Sequence, residues 1–311
     1  MKRQNDKIAI VIPAYKDAFL EATLKSLVRQ TNKNFVVYIG DDASPYQIEN
    51  VVRKYSTQID VVYHRFSSNL GGRDLVGQWE RCISLTQDES WIWLFSDDDE
   101  MDDNCVEKFY ENINKNKKDE LVHFNVNVID ENSKKINESV FPEKMDSYTF
   151  ALSKFRGRIK SFVVEYVFSR NLYEQVGGFQ RFDLAWNSDD ATWVKMSRVT
   201  GIRTIDDARV NWRKSSLNIS PNTMDESIVR RKIKADLDYV RYINQLFPSS
   251  RCNFKLCLSM MTWFCVNMIR YQKILSLKEQ CHYIYIFSKR INKAYFYPAA
   301  MLYSLLKRAI L

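Results

Sequence analysis

Three groups of carboxylates stand where they could do chemistry. Asp97, Asp98 and Asp99 follow directly on the apolar run SWIWLF. Successive like charges repel, and in a crevice a bound cation relieves that repulsion. Carboxylates clustered at a strand end can hold a divalent ion that takes the rest of its shell from phosphate oxygens. Asp41 and Asp42 close the run NFVVYIGDD, and Asp189 and Asp190 stand in WNSDDATWVK. The first and last groups also have a bland use. Asp102 and Asp103 precede the helical pattern Val106, Phe109, Tyr110, Ile113, so the first cluster can be a solvated turn with capping aspartates. The last pair can serve the dipole of the helix it begins.

The surrounding pattern predicts what positions them. KIAIVIPA reads as a strand, and Leu20, Leu24, Leu27 and Val28 then recur at helical spacing. NFVVYIGDD, DVVYHRF and SWIWLF are further strands, separated by helical patterns at Ile48, Val51, Val52, Tyr55 and at Leu75, Val76, Trp79, Cys82, Ile83. The alternation βαβαβαβ implies a mainly parallel sheet covered by helices, with its ligand crevice beyond the carboxyl ends of the strands. Pro13, Ala14 and Tyr15, then Asp41 and Asp42, then Asp97 to Asp99 occupy three such ends. No GxGxxG follows the first strand, which disfavours a dinucleotide oxidoreductase. Beyond Leu121, LVHFNVNVID and FVVEYVFSR read as strands of a mixed extension, and Gly177 and Gly178 stop a short helix at NLYEQV. After about Asn222 the chain turns helical, so two domains are expected, 1–222 and 223–311.

In order, IPAYKD, DDASP, NLGG, FSDDDEMDD, and VGGF followed by WNSDD resemble glycosyltransferase family 2 over roughly residues 7 to 220. The resemblance implies an α/β glycosyltransferase A (GT-A) fold, with a mainly parallel to mixed sheet flanked by helices, here followed by a C-terminal helical extension. It implies that Pro13, Ala14 and Tyr15 lie against the nucleotide, that Asp42 contacts base and ribose, and that Asp98 binds a divalent metal, Mn2+ or Mg2+. Asp97 should lie near the ribose or metal, and Asp99 should be a supporting or substituted ligand. Arg73, beside Asn69, Gly71 and Gly72, borders the donor and could pair with diphosphate. Asp189 matches the catalytic base. Two positions depart from the pattern: Ser96 replaces the first aspartate of DxDD, and Ser188 replaces the Glu of the Glu-Asp motif. No QxxRW follows, which disfavours a processive polymerase. Arg213 with Ser215, Ser216, Asn218 and Ser220 resembles the family's phosphate-side loop.

The implied reaction is inverting transfer from a nucleotide sugar, with UDP the expected nucleotide, to a glycan or lipid-linked glycan acceptor, as in bacterial surface polysaccharide assembly. A sugar-nucleotide nucleotidyltransferase would carry an early Gly-rich phosphate loop, which is missing. A non-catalytic membrane adaptor would have no use for Asp42, Asp98 and Asp189.

Composition bounds the rest. The 311 residues are 45% hydrophobic with 8 Gly and 6 Pro, enough for one large core and a second unit without long linkers. Six cysteines without CxxC spacing and three histidines argue for buried thiols and against a zinc site. The start MKRQNDKIAIVIPAYKD has no signal-peptide pattern, so a cytoplasmic protein is expected. The net charge of +8 sits at one end: after Asp238 there are eleven Lys or Arg against Glu279 alone, +10, leaving −2 for the first 238 residues. A neutral body with a basic, aromatic tail favours an anionic membrane surface over nucleic acid, on the inner face of the cell membrane. The run LCLSMMTWFCVNMI is too short to span a bilayer and suits equally a packed or an interfacial helix. Homo-oligomer formation stays open.

Overall fold

β1 (Asn5–Ala14), wholly apolar from Ile8 onward, leads through α1 (Leu20–Val28), β2 (Phe35–Asp41), α2 (Ile48–Arg53), β3 (Val61–Arg65) and α3 (Leu75–Ile83) to β4 (Glu89–Leu94). The computed structural model describes residues 5–217, 224–248, 251–291 and 296–310. β1 pairs in parallel with β2 on one side and β4 on the other, and β2 pairs in parallel with β3. Every residue of β2 is buried, because helices cover both faces of this part of the sheet.

The chain continues through β5 (Glu100–Met101), α4 (Cys105–Lys115), β6 (Leu121–Ile129), β7 (Lys135–Ser139), β8 (Lys144–Met145), α5 (Ser147–Phe155), β9 (Tyr166–Ser169), α6 (Arg170–Gln175), α7 (Ser188–Thr200) and β10 (Ile202–Arg213). The sheet runs β3-β2-β1-β4-β9-β6-β10-β5, with β7 beside β6 and β8 beside β10. β9 is antiparallel to both β4 and β6, whereas β10 is parallel to β6, which makes the sheet mixed beyond β4. The polar stretch around 132–145 contains the two short strands β7 and β8. The strand β10 has no counterpart in the sequence reading. Its IDD interruption, where register shifts between Ile205 and Arg209, hides the alternation. α6 ends at the two expected glycines, Gly177 and Gly178, with φ of 74° and 72°.

The core joins Ile8, Ile10 and Ile12 of β1, Val37 and Ile39 of β2, Leu20, Leu24 and Leu27 of α1, and Trp93 of β4. Burying each such side chain contributes about 1.5–3 kcal/mol. Trp93 stacks on Phe124 of β6 at 5.0 Å, and its indole N–H donates to the Val164 carbonyl, so the ring is packed and satisfied.

The chain divides into two compact units. One comprises Met1–Ser147, Ser161–Phe179 and Lys195–Ser215, and the other Tyr148–Lys160, Gln180–Val194 and Ser216–Leu311. The second gathers α8 (Glu226–Leu246), α9 (Arg251–Arg270), α10 (Leu277–Arg290) and α11 (Phe296–Ile310) with two segments from earlier in the chain. α9 buries Leu256, Cys257, Met260, Met261, Phe264, Cys265, Met268 and Ile269, a wide stripe at helical spacing, and leaves Phe254 and Leu258 exposed. Among the described residues no helix is long and apolar enough to cross a membrane. The acid of the tail, Glu279, pairs with Arg230, and Arg290 pairs with Asp238.

Candidate active site

The carboxyl ends of β1, β2 and β4 supply the first group of residues. Both successive amides after β1, of Tyr15 and Lys16, donate to one oxygen of Asp97, at 2.8 and 2.9 Å. The backbone loop Pro13–Lys16 is therefore tied to the acidic turn. Burial and then the charge of Asp98 push the Asp97 carboxyl up to about 6. Asp99 is buried and is likewise raised, by burial and then by Asp98. One of its oxygens accepts the Arg213 amide, and its carbonyl accepts the Thr23 hydroxyl at 2.7 Å. Asp97 and Asp98 are both half-buried, and the Asp98 carboxylate accepts a hydrogen bond from Ser96, the residue standing in place of the first family aspartate.

Among the described residues no three His, Cys, Asp or Glu side chains cluster closely enough to hold a metal alone. The donor set nevertheless fits a hard divalent cation that takes most of its shell from a bound phosphate group. Asp98 offers a carboxylate oxygen, and its charge disturbs both neighbours in the direction that a cation would relieve.

Arg213, expected on a phosphate-side loop, has a different place. It ends β10 and is 1% exposed in its side chain. Its guanidinium donates to the carbonyls of Asp98 and Asp130, each at 2.8 Å, and to Ser133, and pairs with Glu100, while its amide holds Asp99. One residue thus grips three successive acidic positions of the turn. No spacing in the sequence signals this contact across more than a hundred residues. Ser215 and Ser216 follow it, and Asn218 and Ser220 lie outside the described residues.

At the end of β2, Asp42 is 3% exposed and has all its acceptor sites engaged. One oxygen accepts from the Leu70 amide and from Arg81, the other from the Gly71 amide and the Asn69 side chain. A Cβ on Gly71 would lie 2.8 Å from that second oxygen, so the close approach requires glycine. Asp42 therefore organises the Asn69–Gly72 loop, and a direct bond to a nucleobase would have to replace one of these four donors. Arg73, in the same loop, is exposed. Asp41, fully buried, accepts from Tyr63 and Arg65 at 2.6 and 2.7 Å and from the Ser44 amide. The Ser44 hydroxyl in turn donates to the Tyr15 carbonyl. Tyr15 is 39% exposed and meets the ring of Tyr46 edge to face at 6.4 Å. Pro13 and Ala14 lead into this exposed ring.

The second unit contains Asp189, in the first turn of α7. Ser188 accepts the Phe182 amide at 3.0 Å, and Thr192 donates to the Ser188 carbonyl, so the serine in place of Glu fixes the helix start. Asp190 pairs with Lys154 at 2.9 Å. Burial first and the Asp190 charge second push Asp189 up to about 7, against the pull of Lys154. A carboxyl raised that far is a stronger base, in its ionised form, than an ordinary aspartate. The neighbouring ring of Tyr239 is buried and stacks on Phe155 at 5.2 Å.

A mixed sheet, parallel around β1 and antiparallel where β9 enters, flanked by helices and with an acidic turn at a strand end, is the GT-A class of glycosyltransferase. The sequence model described as glycosyl transferase family 2 matches residues 9–173, more than half of the chain, and the chain belongs to that family. Among solved structures, S. aureus TarS (residues 1–349) in complex with UDP-GlcNAc is similar with a TM-score of 0.59 at 13% identity, covering 94% of this chain and 90% of that one. Mannosyltransferase PcManGT from Pyrobaculum calidifontis, in complex with GDP-Man and Mn2+, is similar with a TM-score of 0.54 at 11% identity, covering 97% and 86%. No curated protein sequence matches.

Proposed function

We propose that this glycosyltransferase moves a sugar, with inversion, from a nucleoside diphosphate donor, UDP being the expected nucleotide, to a hydroxyl of a glycan or lipid-linked glycan. The observation that carries the donor reading is the acidic turn: the amides of Tyr15 and Lys16 fix Asp97, and Asp98 is left half-buried beside them. That arrangement, together with structurally similar proteins solved with UDP-GlcNAc and with GDP-Man and Mn2+, supports a nucleotide-sugar site.

Asp98 would hold the divalent ion, Mn2+ or Mg2+, with Asp99 behind it supporting the turn, and the bound ion would neutralise charge growing on the departing diphosphate. Tyr15, following Pro13 and Ala14, offers an exposed ring for the base, while Asp42 shapes the Asn69–Gly72 loop and the exposed Arg73 is available to a phosphate. The acceptor hydroxyl attacks the anomeric carbon on the face opposite the leaving group, the C–O bond to diphosphate breaks, and Asp189 takes the hydroxyl proton. A base near neutrality matches the operating pH, and removal of such a base costs on the order of 10²–10⁴ in rate. The raised proton affinity of Asp189 supports this role.

The basic tail supports attachment to the cytoplasmic face of an anionic membrane, where a lipid-linked acceptor would be met. Phe254 and Leu258 on α9 and Leu302 on α11 are exposed apolar side chains that an interface could take up.

The deciding experiment incubates the protein with a panel of nucleotide sugars and manganese. Release of nucleoside diphosphate is expected. Release of pyrophosphate instead would mark a nucleotidyltransferase, and no turnover of any donor would oppose the enzymatic reading.

A further inference from the structure

Asp183 to Asn187, the turn that leads into Asp189, has an unusual backbone. Leu184, Ala185 and Asn187 all have positive φ, at 59°, 53° and 60°. Asparagine adopts that conformation readily, but Leu184 and Ala185 meet a steric cost there and hold it only where their surroundings over-determine it. The forcing groups come from α8 and α9. Asp236, fully buried, accepts on one oxygen from the Trp186 indole N–H at 2.8 Å and from the Asn187 side-chain amide at 2.9 Å. Its other oxygen accepts from Asn267 at 3.2 Å. Lys232, one helical turn earlier and also buried, sets its ammonium 4.3 Å from the Trp186 ring centre. Arg231 grips Asp183 through two hydrogen bonds of 3.0 and 2.7 Å.

A buried carboxylate is costly, and an apolar side chain of similar volume would pack as well. Two of the three bonds that Asp236 accepts are spent on the turn. The consequence reaches α7 through the backbone: the Asn187 carbonyl accepts the Ala191 amide at 3.0 Å, the bond that opens the helix. Asn187 therefore sets the position and direction of the first helical turn, which carries Asp189.

We infer that Asp236 is a positioning residue for sugar transfer, clasping the Asp183–Asn187 turn with Asn267 and Lys232 so that the start of α7 presents Asp189 in one fixed orientation. This rests on the reading of Asp189 as base. The C-terminal helices then take part in the reaction, through the geometry of the residue that receives the proton.

The test is made on the full chain with Asp236→Leu, Asp236→Asn, Arg231→Ala and Asp189→Asn. Amide hydrogen exchange over residues 183–192 needs no ligand, and Asp236→Leu should raise it about tenfold or more, as local opening becomes cheaper. With a donor that the panel shows to be turned over, kcat should fall about 10²-fold, the scale of a small misplacement of a reacting group, while KM for the donor stays unchanged. Asp236→Asn should restore most of both, since Asn267 can turn its amide to match. If Asp236→Leu fails to fold, Arg231→Ala, which removes only a half-exposed pair, should still raise exchange in the same segment. In the Asp189→Asn background, Asp236→Leu should slow transfer no further. Unchanged exchange in folded variants, or a loss seen in donor KM instead of kcat, would overturn the inference. Wild-type transfer by Asp189→Asn would remove the base reading, while the exchange result would still decide the clasp.

Discussion

Replacing Arg213 by Met tests whether one buried guanidinium holds the acidic turn together. Met keeps much of the volume and all of the apolar stem, so the change isolates the polar head. The head donates to two carbonyls, those of Asp98 and Asp130, and pairs with Glu100. Each buried carbonyl left without a donor costs about 1 kcal/mol at the low end of its range, and the lost charge-assisted bond about 1.5–3 kcal/mol. The sum is about 4 kcal/mol, which agrees with the roughly 3–5 kcal/mol for removing one partner of a buried ion pair. In a unit of this size that corresponds to about 8–16 °C in Tm. Thermal and urea unfolding of the full-length variant measure it, with Arg213→Lys as the comparison. A lysine retains the charge but cannot reach all four acceptors, so it should recover less than half of the loss. A variant Arg213→Met that stays within about 1 kcal/mol of wild type would refute the reasoning, because these bonds would then be exchanged for water at no net cost.

Asp98→Asn should abolish manganese affinity measured by calorimetry in the presence of nucleoside diphosphate, with Tm little changed; retained affinity would move the metal to other ligands. Asp42→Asn places an amide donor against N–H groups on whichever side it turns, and should cost about 1–3 kcal/mol and loosen the Asn69–Gly72 loop in hydrogen exchange. For Asp189 the folded carboxyl, pushed up to about 7, binds its proton more tightly than the unfolded one near 3.8. Wild-type stability should therefore fall as pH rises from about 4 to 7, and Asp189→Asn should gain on it across that window by about 1–2 kcal/mol, less than the full shift because the side chain keeps some solvent contact. Equal Tm differences at pH 4 and pH 8 would contradict this. Flotation with anionic liposomes should carry the intact chain at low salt, salt should release part and detergent the rest; no lipid association would leave the exposed apolar residues of α9 and α11 as ordinary surface.

The strands around the crevice were legible in the chain because each is short, nearly all apolar and separated from the next by one helical pattern, and local periodicity reports both. The strand ends fixed which polar residues could share a crevice, since chain direction and the parallel pairing of β1, β2 and β4 leave little freedom. Three things depended on folding. The strand β10 was hidden by its charged IDD interruption, and with it went the placement of Arg213 against Asp98, Asp99 and Glu100. Asp42 reads in sequence as an acid free for a ligand, and only the approach of the Asn69–Gly72 loop shows its lone pairs engaged. The family match picks Asp189 over its neighbour, but only the fold shows that Lys154 from α5 pairs with Asp190 and that burial, then the Asp190 charge, raises Asp189. Local pattern determines which backbone hydrogen bonds a segment can make, and so it specifies elements and their order. Proton affinity and side-chain partnership depend on charges and donors brought near by residues distant in the chain, which no local pattern encodes.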